Sequence, residues 1–225
     1  MFHDRAHAGR LLAKKLASYA NREDVLVLGI PRGGVPVASE VARALHAPLD
    51  VLLVRKLGTP GQRELAMGAI ASGGIRILNQ QLIAELGISE EQLAETIAAQ
   101  ESELQRREQL YRGVRPGISV QGKITILVDD GIATGSSMLA AIDALRMLQP
   151  KEIVVAVPVA PSRGVEQIQN VVDKFICLLE PHWFLGIGEF YENFSPTEDS
   201  DVRGLLEGAA ELPAAAPTLE RRGAA

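Results

Sequence analysis

The segment Ile124-Thr125-Ile126-Leu127-Val128-Asp129-Asp130-Gly131-Ile132-Ala133-Thr134-Gly135-Ser136-Ser137-Met138 gathers the residues best suited to chemistry in this 225-residue chain. An apolar, β-branched run ends in two adjacent carboxylates. A turn of small and hydroxylated residues then leads into a helical pattern. A strand of this kind delivers Asp129 and Asp130 to the carboxyl edge of a sheet, where open α/β folds bind ligands. The turn from Ala133 to Ser137 offers backbone N–H groups, hydroxyls and the positive end of a helix dipole to one point, a combination that captures phosphate. An anion grip beside paired acids suits a sugar phosphate, with the anion in the loop and ring hydroxyls on the carboxylates. Helix capping accounts for one hydroxyl but not for two acids followed by Thr, Gly, Ser and Ser. The spacing matches neither GxxxxGK[ST] nor GxGxxG.

Three further groups bear on chemistry. Gly29-Ile30-Pro31-Arg32-Gly33-Gly34-Val35-Pro36 follows an apolar strand. Gly33 and Gly34 let backbone amides approach an anion, and Arg32 adds a planar cationic fork. A tight strand-to-helix turn with a surface arginine is the plainer reading of the same residues. Arg55 and Lys56 end a second strand and open a glycine-rich stretch. Beside a diphosphate they would neutralise leaving-group charge; otherwise they are a surface pair. Glu64, in that stretch, reads as a solvated loop carboxylate. Trp183 and Phe184 follow the last strand, and either ring suits stacking on a flat heterocycle or packing in a lid or core.

These groups need a scaffold. A helical face carries Ala8, Leu11, Leu12, Leu16 and Tyr19, with Lys14 and Lys15 opposite. Apolar strands are expected at 25–30, 49–54, 124–128, 152–157 and 174–179, with helices at 36–46, 136–148 and from about 162. Continuous apolar strands alternating with helices indicate an α/β fold, a mostly parallel sheet covered on both faces. Residues 57–74 hold six glycines and prolines and read as a mobile connection or a loosely held hairpin. Helical patterns at 79–86 and 89–111 form an inserted helical pair. On the longer helix Leu93, Ile97, Leu104 and Tyr111 make a narrow stripe, read as packing on the helix at 79–86, with a homodimer contact as the alternative. One domain is expected over 1–195, with a hood segment at 180–195. Residues 196–225 turn acidic and then Ala/Pro-rich, read as a largely disordered tail.

With 47% hydrophobic residues, the chain is long enough for one substantial core with an elaboration. A net charge of −5 argues against a nucleic-acid surface. The single cysteine, Cys177, sits in an apolar run and reads as packing. No 18-residue apolar span and no signal-like N-terminus are found, so neither a membrane partner nor export is expected and the expected location is cytoplasmic.

The Ile124–Ser137 stretch resembles the 5-phosphoribosyl-1-pyrophosphate (PRPP) motif of type I phosphoribosyltransferases: hydrophobic strand, two acids, two variable positions, then small-Thr-Gly-x-Ser/Thr. Gly29–Pro36 resembles the pyrophosphate loop of that family. Arg55-Lys56 resembles the pair opening the flexible loop of orotate and adenine phosphoribosyltransferases. The likeness covers roughly residues 25–60 and 120–160. In its Asp4-Arg5 opening, Gly-Ile-Pro-Arg-Gly-Gly, Arg55-Lys56-Leu57-Gly58, Arg106-Arg107 and Tyr111-Arg112, the chain is most similar to a bacterial branch of predicted phosphoribosyltransferases.

The resemblance implies transfer of the phosphoribosyl group of PRPP to a nitrogenous small-molecule acceptor, with release of pyrophosphate. It implies that Ala133, Thr134, Gly135, Ser136 and Ser137 hold the 5′-phosphate. Asp129 and Asp130 would bind the ribose hydroxyls near Mg²⁺, which they meet indirectly. Arg32, Gly33, Gly34, Arg55 and Lys56 would hold the diphosphate, making Asp129, Asp130, Arg55 and Lys56 the catalytic set. Trp183 or Phe184 would meet the acceptor. Ala133 stands where hypoxanthine-type enzymes carry an Asp that handles the base proton; adenine-type enzymes also have Ala there. A PRPP-sensing regulator without transferase activity and a PRPP-hydrolysing variant are the alternatives.

Overall fold

The computed structural model describes residues 1–163 and 165–210. Five strands form a parallel sheet: β1 (Val25–Gly29), β2 (Leu49–Val51), β6 (Ile124–Val128), β7 (Glu152–Val159) and β8 (Lys174–Leu179). Their order across the sheet is β2-β1-β6-β7-β8. Every residue of β1 and β6 is buried. This is why both read as unbroken apolar runs: helices cover both faces of the sheet. On one face Leu12, Val37, Val41 and Leu45 join Val25, Val27, Ile124, Ile126 and Val128. On the other, Met138, Ile142, Leu145 and Ile168 join Leu26, Leu28, Leu127, Val155 and Val157.

The expected helices are present as α1 (Arg5–Lys15), α2 (Gly34–Leu45), α5 (Ser136–Met147) and α6 (Val165–Gln169). Asp4 caps α1, its side chain accepting from the His7 N–H. Pro36 falls in the first turn of α2, where its missing N–H costs nothing.

The chain leaves β1 for β2 on one side of the sheet and later returns to place β6 on the other side of β1. The loops after β1 and β6 therefore diverge at a topological switch point, where this class of sheet opens a crevice at its carboxyl edge. Residues 29–36 and 129–136 are those two loops.

The glycine-rich stretch is a three-stranded antiparallel sheet: β3 (Val54–Thr59), β4 (Gln62–Ala71) and β5 (Ile75–Leu78). The hairpin reading holds, with a third strand added. Leu57, Met67 and Ile70 are buried beneath it, and the pairing shifts register at Leu57, Gly58 and Thr59. The inserted pair is α3 (Gln80–Glu85) and α4 (Glu90–Arg112), the latter opened by a Ser89–Gln92 capping box.

Two expectations need correction. The stripe on α4 buries Ile97, Leu104 and Tyr111, but its main neighbours are β3, β4 and α7 (Asp199–Ala210) rather than α3. The segment read as the start of a disordered tail contains α7, which buries Val202 and Leu206 against the α2/α4 side. Two apolar residues four apart suffice for a short helix whose stability comes from docking. The Tyr111 hydroxyl donates to Asp199 at 2.5 Å and fixes its first turn. Residues 211–225 of the expected tail lie outside the described residues.

Candidate active site

The two switch-point loops touch through glycine. A Cβ on Gly33 would lie 2.0 Å from Asp130 Oδ2, and one on Gly34 would lie 2.8 Å from the Asp129 Cα and 3.0 Å from its Oδ1. Only residues without a side chain let the first loop lie on the acidic pair this closely. The Pro31–Arg32 peptide in this loop is cis.

Asp130 is held at several atoms. Its Oδ2 accepts from Arg5 Nε at 2.8 Å, and its carbonyl accepts from the Tyr191 hydroxyl at 2.6 Å. Its own N–H donates to Asp129 Oδ1 at 2.8 Å. Burial and the neighbouring Asp130 charge push the Asp129 carboxyl well above the usual carboxylate range. Burial also raises Asp130, and the Arg5 guanidinium opposes that rise. Among the described residues no cation pairs with Asp129. Two adjacent carboxylates thus share one guanidinium, that of Arg5, which fits a site that receives a cation or ring hydroxyls.

The turn after the acids keeps its chemistry at the surface. Thr134 and the α5 residues Ser136 and Ser137 stand at the head of the helix, and Gly135, at φ +76°, caps α5 in the left-handed region. Thr134 Oγ1 and Ser136 Oγ lie 3.2 Å apart at the exposed helix start. Loop hydroxyls, N-terminal amides and dipole meet here as the sequence implied.

The carboxyl ends of β6, β7 and β8 are stitched together. Ile132 N donates to Val159 O at 2.9 Å, and Ala160 N donates to Leu179 O at 3.1 Å. The segment after β8 therefore borders the same edge. Trp183 is 90% exposed and is not part of the core. Phe184 stacks on Phe190 at 5.7 Å between centroids, so its ring is already occupied.

The cations expected at the diphosphate are arranged differently from one another. Arg32 is exposed, its guanidinium 3.7 Å from Glu198 and 3.9 Å from Asp199. Lys56 is exposed. Arg55 is turned to α4: Nε donates to Gln100 Oε1 at 2.8 Å and Nη1 lies 3.7 Å from Glu103. Arg106 and Arg107 crowd the same glutamate and hold its carboxyl down at about 2. Arg55 thus joins the antiparallel sheet to α4 rather than the acidic pair. The strand-end position of Arg55-Lys56 was legible; the face on which Arg55 points was not, because β3 leaves the parallel sheet before it.

Arg5 and Tyr191 were missed as site residues. Arg5 lies 125 residues from Asp130 in sequence, beyond any local spacing rule; its only signal was the Asp4-Arg5 opening. A cavity of about 470 Å³ lies at the opposite edge of the sheet, among Ala42, His46, Pro48, Leu49, Arg112 and Leu206. It lies at the end where β2 begins and takes no part in this crevice.

The phosphoribosyl transferase domain model matches residues 2–194. The chain belongs to that family. The crystal structure of the protein TT1426 from Thermus thermophilus superposes with a TM-score of 0.80 at 42% identity, covering 91% of this chain and 97% of that one. Inferred phosphoribosyl transferases from two strains of Mycobacterium tuberculosis are 44% identical over 209 residues, which is 93% of this chain. The match takes in 47% of each mycobacterial protein, so the chain spans about half the length of the curated relatives it matches. No described helix is long and apolar enough to cross a membrane.

Proposed function

We propose that this phosphoribosyl transferase domain moves the 5-phosphoribosyl group of PRPP to a nitrogenous small-molecule acceptor and releases pyrophosphate. The observation that carries the reading is the contact of Gly33 and Gly34 with Asp129 and Asp130. It sets an amide-rich, Arg32-bearing loop directly over two under-compensated carboxylates, one turn from an exposed phosphate loop.

Breaking the C1–O bond of PRPP develops oxocarbenium character in the ribose ring and negative charge on the departing diphosphate. Thr134, Gly135, Ser136 and Ser137 hold the 5′-phosphate and so fix the ring. Asp129 and Asp130 accept from the ribose hydroxyls and stabilise the cationic ring. The amide of Gly33, with Arg32 and Lys56, takes up the charge of the diphosphate as it leaves, while the Gly34 N–H, which donates to Ile30 O at 3.0 Å, holds the turn. Arg32 exchanges Glu198 and Asp199 for the diphosphate, an exchange between solvent-exposed partners that costs little. Trp183 offers its open face to the acceptor ring.

Mg²⁺ fits this site, since two raised carboxylates lack full countercharge and the ion is met by few protein ligands. Bound with PRPP beside Asp129 and Asp130, it would neutralise diphosphate oxygens. The test is pyrophosphate release from PRPP–Mg²⁺ against a panel of bases, amines and metabolite extracts. Release that depends on one acceptor supports transfer. Equal release without any acceptor supports the hydrolase, and tight PRPP binding with no release across the panel supports the sensor.

A further inference from the structure

Asp130 is clamped more tightly than a hydrogen-bonding side chain at a loop requires. Arg5, the first residue of α1, reaches it from the far end of the sequence. Its Nε donates to Asp130 Oδ2 at 2.8 Å, its Nη1 donates to the Ser195 carbonyl at 2.8 Å, and its guanidinium carbon lies 3.9 Å from the centre of the Phe194 ring. The two charged side chains are 12% and 11% exposed. Oδ2 lies where a side chain on Gly33 would have to go, 2.0 Å from its Cβ position. Oδ1 takes no hydrogen bond from the described residues.

Stapling the N-terminal segment does not explain this arrangement. That segment is already fixed: Phe2 N donates to Phe190 O at 2.7 Å, Glu192 N to Phe2 O at 2.8 Å, and Asn193 N to His3 O at 2.9 Å. The Phe2 ring rests against Tyr191. A buried ion pair added to such a docked segment is a costly fastener, because desolvation consumes most of its attraction. What it does do is separate the two oxygens of Asp130: one is engaged by Arg5 and the other takes no hydrogen bond from the described residues.

We propose that Arg5 is a positioning residue for substrate recognition: it engages Oδ2 of Asp130 so that Oδ1 is presented at a fixed angle to one ribose hydroxyl. This sets the preference of the site for a ribose over a deoxyribose phosphate. The proposal rests on the reading of the acidic pair as the ribose site. A site that spends a buried acceptor on a substrate hydroxyl rejects the analogue lacking it, since the acceptor is then left unpaired.

The experiment measures dissociation constants of the folded protein for ribose 5-phosphate, its 2-deoxy and 3-deoxy analogues, and methyl phosphate. It compares wild type, Arg5→Gln and Arg5→Lys. Wild type should prefer ribose 5-phosphate over at least one deoxy analogue by about 10-fold, one charge-assisted hydrogen bond. Arg5→Gln should bring that ratio close to one while methyl phosphate, which reads only the phosphate loop, binds as in wild type. Arg5→Lys keeps the charge but cannot reach both Asp130 and Ser195 with one point donor, and should lose part of the ratio.

A folded Arg5→Gln protein with the wild-type ratio would overturn the proposal and leave the ribose reading standing. If Arg5→Gln does not fold, an unreduced ratio in Arg5→Lys overturns it equally. Parity between ribose and both deoxy sugars in wild type would overturn it by removing the ribose reading beneath it.

Discussion

Gly33→Ala is the sharpest steric probe of the crevice. Gly33 has φ −61° and ψ −32° just before α2, a conformation any residue adopts, so alanine brings no backbone strain. On conformational grounds alone the substitution should stabilise the domain by about 0.4–1 kcal/mol, by restricting the unfolded chain. The structure reverses the sign. The new methyl would meet Asp130 Oδ2 at 2.0 Å and Cγ at 2.7 Å, with Arg5 Nε at 3.3 Å. Either the loop lifts or the carboxylate swings away from Arg5.

Forced overpacking costs about 1–3 kcal/mol, and loss of the Arg5–Asp130 bond is of the same order, about 1.5–3 kcal/mol. Net destabilisation of about 1–2 kcal/mol is expected, near 2–8 °C in melting temperature for a chain of this size. Ribose 5-phosphate affinity should fall about 10-fold with it. Gly186→Ala is the control: nothing lies within 4 Å of its Cβ position, so stability should hold or rise by up to about 1 kcal/mol and ribose 5-phosphate affinity should not move. Urea unfolding and calorimetry check both. A Gly33→Ala protein that is more stable than wild type and binds ribose 5-phosphate normally would refute the close contact of loop and acidic pair.

Three other outcomes follow from the same geometry. Gly135→Val should abolish phosphate-ester binding with a native circular dichroism spectrum, because Gly135 sits at φ +76° with Ile168 3.3 Å from its Cβ position; Ser137→Ala, losing one hydroxyl bond, should cost only about 1 kcal/mol of affinity. Asp129→Asn should raise the melting temperature of the ligand-free protein at neutral pH. A carboxyl raised on folding adds stability only at pH below its unfolded value and loses that advantage as pH rises through the folded value. The gain should therefore shrink on acidification, and thermal scans upward from the ordinary carboxylate value of about 4 to neutral pH check it. Cys177, its thiol pushed up to about 11 by burial, should react with iodoacetamide at mildly alkaline pH roughly 100-fold more slowly than a free cysteine of pKa about 8.5, and at the free rate once unfolded.

How much of this was legible in the sequence depended on range. The run Ile124–Val128 and its two acids declared strand, edge and charge together, because burial on both faces and a ligand-bearing loop each leave a local pattern. The helical pattern expected at 89–111 is met within a residue by α4 at Glu90–Arg112. The glycines of 57–74 left motion and pairing both open: glycine in a strand permits close pairing as well as motion, and Gly68 lies within β4 with its Cβ position 2.3 Å from Ile77 O. Helix α7 was hidden because Val202 and Leu206 are its whole buried face, surrounded by acids. The placements of the Arg55 and Arg5 side chains were hidden for a common reason. Each is placed by a partner on another element, Gln100 for one and Asp130 for the other, and no spacing rule spans such distances.

The proposed transfer requires first that the crevice over Asp129 and Asp130 bind PRPP. Calorimetric titration of PRPP with Mg²⁺ into wild type and into the Asp129→Asn, Asp130→Asn double variant tests it most directly. Wild type should bind measurably and the double variant should lose about 100-fold or more, at about 1.5–3 kcal/mol for each charge-assisted hydrogen bond removed. Equal affinity in the two proteins, both folded, would contradict it.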